Sequence, residues 1–162
     1  MFKHKLVVVT AILTVVMSSV VWVGTSKATA PTGLTTEPIT SGSLPEPIRA
    51  KFKPQSGVIL TDVTKITMIK QTLTPGGSTG WHQHGGPIWV VIASGNLTLY
   101  DGDDPSCTGV VYPPGSAFMD PSTHTHIARN EGNESVVVYV TFMLPEGGTP
   151  RIDVPPPGNC GF

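Results

Sequence analysis

This sequence predicts an all-β domain, and three observations carry the prediction. Eighteen glycines and sixteen prolines in 162 residues work against long helices, since each costs a helix about 1 (Gly) to 3 kcal/mol (Pro) relative to alanine. From residue 57 onward the apolar residues fall in short runs dominated by Val, Ile and Thr, and no helical period fits them. Turn-forming sequences interrupt those runs about every ten residues, the rhythm of a sandwich, jelly roll or small barrel.

Residues 1–30 read as an export leader. Lys3 and Lys5 give a positive start, residues 6–23 are almost unbroken apolar sequence, and residues 24–30 supply small side chains for cleavage. Ala28-Thr29-Ala30 has the small-x-small form, but Pro31 after it is a poor start for a cleaved chain, so cleavage after Ser26 or Ala28 fits as well. The apolar run also reaches the lower edge of a membrane span, roughly 17–25 residues. An uncleaved N-terminal anchor is therefore the competing expectation. Either way the body lies outside the cytoplasm, secreted, periplasmic or at the cell surface.

Residues 31–56 carry Pro38, Pro45, Pro47 and Pro54 among Thr and Ser. They read as a linker or an extended segment wrapping the domain. Within them, Ile48, Ala50 and Phe52 alternate with Arg49, Lys51 and Lys53, which allows one short strand.

The domain proper is expected over residues 57–147. Strands are predicted at residues 58–60 and 65–74, followed by a turn at Pro75-Gly76-Gly77-Ser78. Residues 88–93 form a buried-strand run, Ser94-Gly95-Asn96 a tight turn, and residues 97–100 the returning hairpin partner. After the acidic loop at 101–105, strands follow at 110–112, 116–119 and 125–128, and residues 136–144 are the longest β-branched run. Asp101, Asp103 and Asp104 lack the spacing of a calcium loop and read as solvated. Trp81, Trp89, Tyr100, Tyr112 and Phe118 read as barrel-wall core, with pocket lining as the alternative.

Residues 148–162 are a Pro-rich tail ending near Cys160, and Cys107 is the other cysteine. In an exported chain an even count favours a disulfide, which would pin the tail to the body. A chain-entropy estimate for such a loop is about 4 kcal/mol. The alternative places one cysteine near a metal as ligand or reactive thiol. Charge excludes one partner class. Ten basic residues less Lys3, Lys5 and Lys27 leave seven against eleven acidic, a net of −4 for the body, with no Lys/Arg run. Nucleic acid is not an expected partner.

Histidine placement points to chemistry. Apart from His4 in the leader, the histidines fall into two pairs, His82/His84 and His124/His126. Residues two apart on a strand share a face, so each pair is half of a metal site.

The flanking residues resemble the two motifs of the cupin superfamily. Gly76, His82, His84 and Gly95 fall at the first motif's offsets; Gly115, Pro121, His126 and Asn130 fall at the second's. Their opening, Gly80-Trp81-His82-Gln83-His84, is similar to that of small single-domain cupins. The resemblance implies a double-stranded β-helix, a jelly-roll barrel, with metal ligands His82, His84 and His126. Two positions depart from the family pattern. Thr123 stands where the second motif has glycine, and Ile88 where the first has its glutamate ligand. A three-His, one-Glu site cannot form. His124 is left as a further ligand, a proton shuttle or a solvated residue.

Neutral imidazoles suit iron, zinc, copper or nickel, with manganese kept among the candidate ions, and three of them leave positions open for water or substrate. Without the glutamate, a divalent ion keeps its full charge, which favours acidic bound water and anionic ligands. The function expected is binding of a divalent transition metal, with a reaction on a small molecule left open: dioxygenase-like, as the resemblance implies, or of zinc Lewis-acid type. The alternatives are a small-ligand-binding module with little or no metal and a structural or interaction protein at the cell surface. Homodimerisation through edge strands is expected from the resemblance only.

Overall fold

The computed structural model describes residues 27–52 and 59–162. The leader reading lies almost wholly outside the described residues, as do residues 53–58. Among the described residues there is no helix, and ten strands form one sheet that wraps into a barrel. They are β1 (Thr32–Phe52), β2 (Ile59–Ser78), β3 (His82–Gln83), β4 (Ile88–Ser94), β5 (Leu97–Asp101), β6 (Val110–Tyr112), β7 (Ala117–Asp120), β8 (His126–Arg129), β9 (Val136–Leu144) and β10 (Ile152–Asp153).

The pairing separates two walls. One runs β1-β2-β9-β4-β7 and the other β10-β3-β8-β5-β6, and the two meet where Ser78 of β2 pairs with Arg129 of β8. This is the jelly-roll barrel that the strand rhythm and the motifs led us to expect. Alternation sets the inner face. Val136, Val138, Val140, Phe142 and Leu144 of β9 point inward, as do Ile88, Val90 and Ile92 of β4, and with Leu73, Leu97 and Ala128 they form one core. Burying each large aliphatic or aromatic side chain contributes about 1.5–3 kcal/mol.

Three expectations need correction. Residues 97–100 are not the hairpin partner of β4. Gly95, at φ +70°, turns the chain across the barrel, so β5 joins the opposite wall between β6 and β8, while β4 lies between β9 and β7. Pro75 to Ser78 is not a turn between strands, because β2 continues through it. Gly76, at φ +72°, bends the strand, and its N–H donates to the Asn130 carbonyl at 3.0 Å. Trp89 is not core. It alternates with the inward Ile88 and Val90 and is 45% exposed, whereas Trp81 is buried.

The proline-bearing segment, read as a linker or a wrapping extension, is a strand along most of its length. β1 pairs antiparallel with β2 from Thr32↔Ser78 to Phe52↔Ile59. It is an edge strand, where a missing N–H costs least. Its register shifts at Pro38/Thr40 and across Ser43/Ile48, the stretch holding Pro45 and Pro47. Arg49 and Asp62 form a two-pronged ion pair at 2.8 and 3.1 Å, and Lys70 pairs with Glu37 at 2.9 Å. Both are exposed and worth little each.

The two cysteines form the Cys107–Cys160 disulfide. The tail before it is ordered by further contacts. β10 pairs with β3, Asn159 Nδ2 donates to the Asp101 and Asp104 carbonyls at 2.8 and 2.6 Å, and the Phe162 ring lies against Tyr100 and under the Arg129 guanidinium.

Candidate metal centre

Two short strands place the histidines. His82 on β3 pairs in register with His126 on β8, and Asp153 of β10 pairs with His82 from the other side. His84 follows one residue beyond β3. All three rings are buried, with centroids 4.4–5.0 Å apart. Their donor atoms lie within 4.8 Å of one another.

The backbone fixes the tautomer of each ring. His82 Nδ1 faces the Gly80 carbonyl at 2.8 Å, His84 Nδ1 the Pro150 carbonyl at 2.6 Å, and His126 Nδ1 the His124 carbonyl at 3.0 Å. A carbonyl oxygen only accepts, so each Nδ1 must carry hydrogen and each Nε2 must present a lone pair. Gly80 is required for this arrangement. It sits at φ +69°, and a Cβ there would run into the Thr29 carbonyl. Trp81 N–H in turn donates to Thr29 Oγ1 at 2.8 Å, which holds the approach to β3.

The Nε2 atoms of His84 and His126 are 3.3 Å apart. Two lone pairs facing each other at that distance repel unless a cation lies between them. Tetrahedral zinc with nitrogen ligands at about 2.0–2.1 Å separates them by roughly 3.3 Å. The donor set therefore fits a divalent transition metal. Burial and the neighbouring charges of His126, Arg151 and His84 push His82 down to about 2. Burial, followed by the charge of His126, pushes His84 down to about 4. Both rings are neutral at pH 7, the form a metal takes.

Behind His126 lies a residue that the sequence reading missed. Asp120, at the end of β7, places Oδ2 3.2 Å from His126 Nδ1 and 3.6 Å from His124 Nδ1. Burial alone would raise its pKa, but hydrogen bonds from His124 and His126 outweigh that and hold it well below the usual carboxylate range. Asp120 is thus an ionised carboxylate that orients the His126 ring. The turn that follows is tight. Ser122 N–H donates to Asp120 Oδ1 at 2.9 Å, and Thr123, at φ +51° in the motif's glycine position, donates its N–H to the His84 carbonyl.

The structure places His124 beside the cluster. Its ring centroid is 6.4 Å from that of His126, and its Nε2 lies 3.0 Å from Asp101 Oδ1. Hydrogen bonding to Asp120 raises its pKa, burial opposes this, and the charges of Asp101 and Asp103 add to the rise. Gln83 points away from the cluster and donates to Thr125 Oγ1 at 2.7 Å.

The three histidines open into a cavity in the barrel, about 510 Å3 of empty space including its mouth. Ile88, at the family's glutamate position, lines it and pairs in register with Phe142. Arg151 also lines it, a second residue that the sequence reading missed. The parity of β7 marks Asp120 as inward, the same side as Phe118. No sequence signal marks Arg151, which reaches the cavity only because the tail folds back.

A jelly-roll barrel with a buried three-histidine cluster on its inner wall defines the class. A family model described as Cupin domain matches residues 69–142, so this stretch, a little under half of the chain, is a cupin domain. A comparison with curated proteins returns no match. Similar solved structures include the SPY1581 protein of unknown function from Streptococcus pyogenes, 18% identical, with a TM-score of 0.43 over 49% of this chain and 65% of that one. An oxalate oxidase is 20% identical, with a TM-score of 0.44 over 49% of this chain and 42% of that one. The cupin domain of an XRE family transcriptional regulator from Enterobacter cloacae is 16% identical, with a TM-score of 0.47 over 70% and 99%. The chain spans less than two thirds of the length of the first two.

Proposed function

We propose that this protein is an exported cupin that binds one divalent transition metal on the Nε2 atoms of His82, His84 and His126 and acts on a small molecule held in the barrel. The carrying observation is the set of backbone carbonyls behind the rings. Gly80, Pro150 and His124 each engage a Nδ1, so all three lone pairs are presented together. When bound, the metal supplies Lewis acidity, or redox chemistry if it is iron, manganese or copper. The chain's own residues orient the ligands through Asp120, surround the reacting molecule with apolar wall, and hold the Arg151 cation nearby. Export rests on the leader pattern of residues 1–30, with cleavage after Ser26 or Ala28 so that Thr29 and its bond from the Trp81 N–H are kept.

A second reading is a binding module without turnover. It is favoured by one observation: no carboxylate is among the described residues that line the cavity, so histidine is the one general-base side chain on that lining. Elemental analysis of protein purified without chelators tests the metal centre. We expect close to one metal per chain, lost in His82→Ala. Tight stoichiometric metal retained by that variant would refute the ligand set. A loaded protein that binds small molecules but turns none over would move the assignment to the second reading.

A further inference from the structure

The cavity is divided in its chemistry. One part carries His82, His84, His126 and Arg151, while Ile88, Val90, Leu99, Phe118, Val140 and Phe142 are among the side chains that make the rest apolar. Arg151 is held in place. Its Nε donates to Asp153 Oδ1 and its Nη2 to the Thr79 carbonyl, both at 2.6 Å. These bonds engage two of the five N–H groups that a guanidinium carries. Its positive charge is felt at His82 and His84, where it disfavours protonation.

We propose that the barrel selects a monocarboxylic acid with a single apolar body, the carboxylate seated at the Arg151 and histidine end and the body along the Ile88–Phe142 side. A fixed guanidinium favours a planar carboxylate. The apolar wall, with Ile88 in place of a carboxylate, rewards each buried methylene and penalises a second charge. The inference deepens the proposed function and shares its site, but it depends on Arg151 and the wall rather than on the metal.

NMR titration of the purified protein with acetate, butyrate, hexanoate, hexan-1-ol and succinate tests it, with and without added zinc and with metal content measured in parallel. Affinity is expected to rise about fourfold per buried methylene from acetate to hexanoate. Hexanoate should bind more tightly than hexan-1-ol or succinate. Arg151→Gln should weaken hexanoate about tenfold and leave hexan-1-ol unchanged, with Arg151→Lys between. An affinity flat with chain length, succinate binding as tightly as hexanoate, or no binding of any probe would overturn the proposal. So would a folded Arg151→Gln protein with unaltered hexanoate affinity. The chain-length series uses the unaltered protein and decides even if the variant does not fold. A protein that takes up no zinc when it is supplied and still ranks the acids this way would count against the metal centre and for the acid pocket. A metal-loaded protein that does not rank them would count the other way.

Discussion

The Nε2 atoms of His84 and His126 approach to 3.3 Å although 42 positions separate them in sequence. Neither ring can turn away, because the Pro150 and His124 carbonyls hold the opposite nitrogens. That arrangement makes the orienting groups as testable as the ligands.

Asp120 is one such group. Asp120→Asn keeps the shape of the side chain and removes the charge behind His126 Nδ1, 3.2 Å away. Metal affinity should fall about 10–100-fold, measured by competition with a chelator. Unchanged affinity would show that Asp120 serves only the turn through Ser122.

Ile88 is the position where a carboxylate would complete the family's site. Ile88→Glu should tighten metal binding, because a fourth, anionic ligand joins the three histidines. The same change should destabilise the metal-free protein by several kcal/mol, since Ile88 is 3% exposed and its neighbours are apolar. Chelator competition and thermal melting with and without zinc read the two effects. Weaker metal binding in a folded variant would mean that this wall does not face the ion.

Acid should unfold the metal-free protein in a defined window. His82 and His84 keep pKa values of about 2 and about 4 when folded, against about 6.5 in an unfolded chain. The unfolded state therefore binds more protons below pH 6.5. The stability linked to these histidines is present above that pH and is lost as pH falls toward 4. The loss is on the order of 1 kcal/mol per histidine for each pH unit. His124 has the opposite sign. Its raised pKa adds stability below its ordinary value that is lost as pH rises through the folded one. Melting temperatures of metal-free protein should fall between pH 7 and 5, and His84→Gln should flatten the slope. A slope unchanged by that variant would place the titration elsewhere.

Cys160→Ala should lower thermal stability, by up to about 4 kcal/mol if the loop-closure account holds. It should leave the metal in place, because Pro150 and Arg151 lie before β10, whose pairing with β3 does not need the disulfide. Loss of metal together with the disulfide would show that the tail is held by the bond alone.

Much of the wall was legible from the sequence, because strand alternation is local. The β9 run shows its inward set directly, and so do Ile88, Val90 and Ile92 of β4. The histidines were less so, because only His82 and His126 lie on strands, and His124 precedes β8 and stands outside the three-histidine group. Trp89 shows the limit of reading by residue type, since its hydrophobicity suggested core while the parity of its strand turns it outward. The misplaced partner of β4 shows another limit. A glycine turn looks the same whether the chain returns to its neighbour or crosses to the far wall. Asp120 and Arg151 were missed because their meaning depends on strand contacts and on a tail that folds back over a distance no local pattern records.

That tail sets an order on the life of the molecule. The acceptor for His84, the guanidinium in the cavity and the strand flanking His82 all lie at residues 150–153. A ribosome emits every other part of the pocket before them. A nascent chain displaying His82, His84 and His126 still lacks the Pro150 carbonyl that aims one of them, so the proposed ion capture belongs to the finished polypeptide. A frameshift or protease cut just after β9 would leave the core strands intact and the metal centre incomplete.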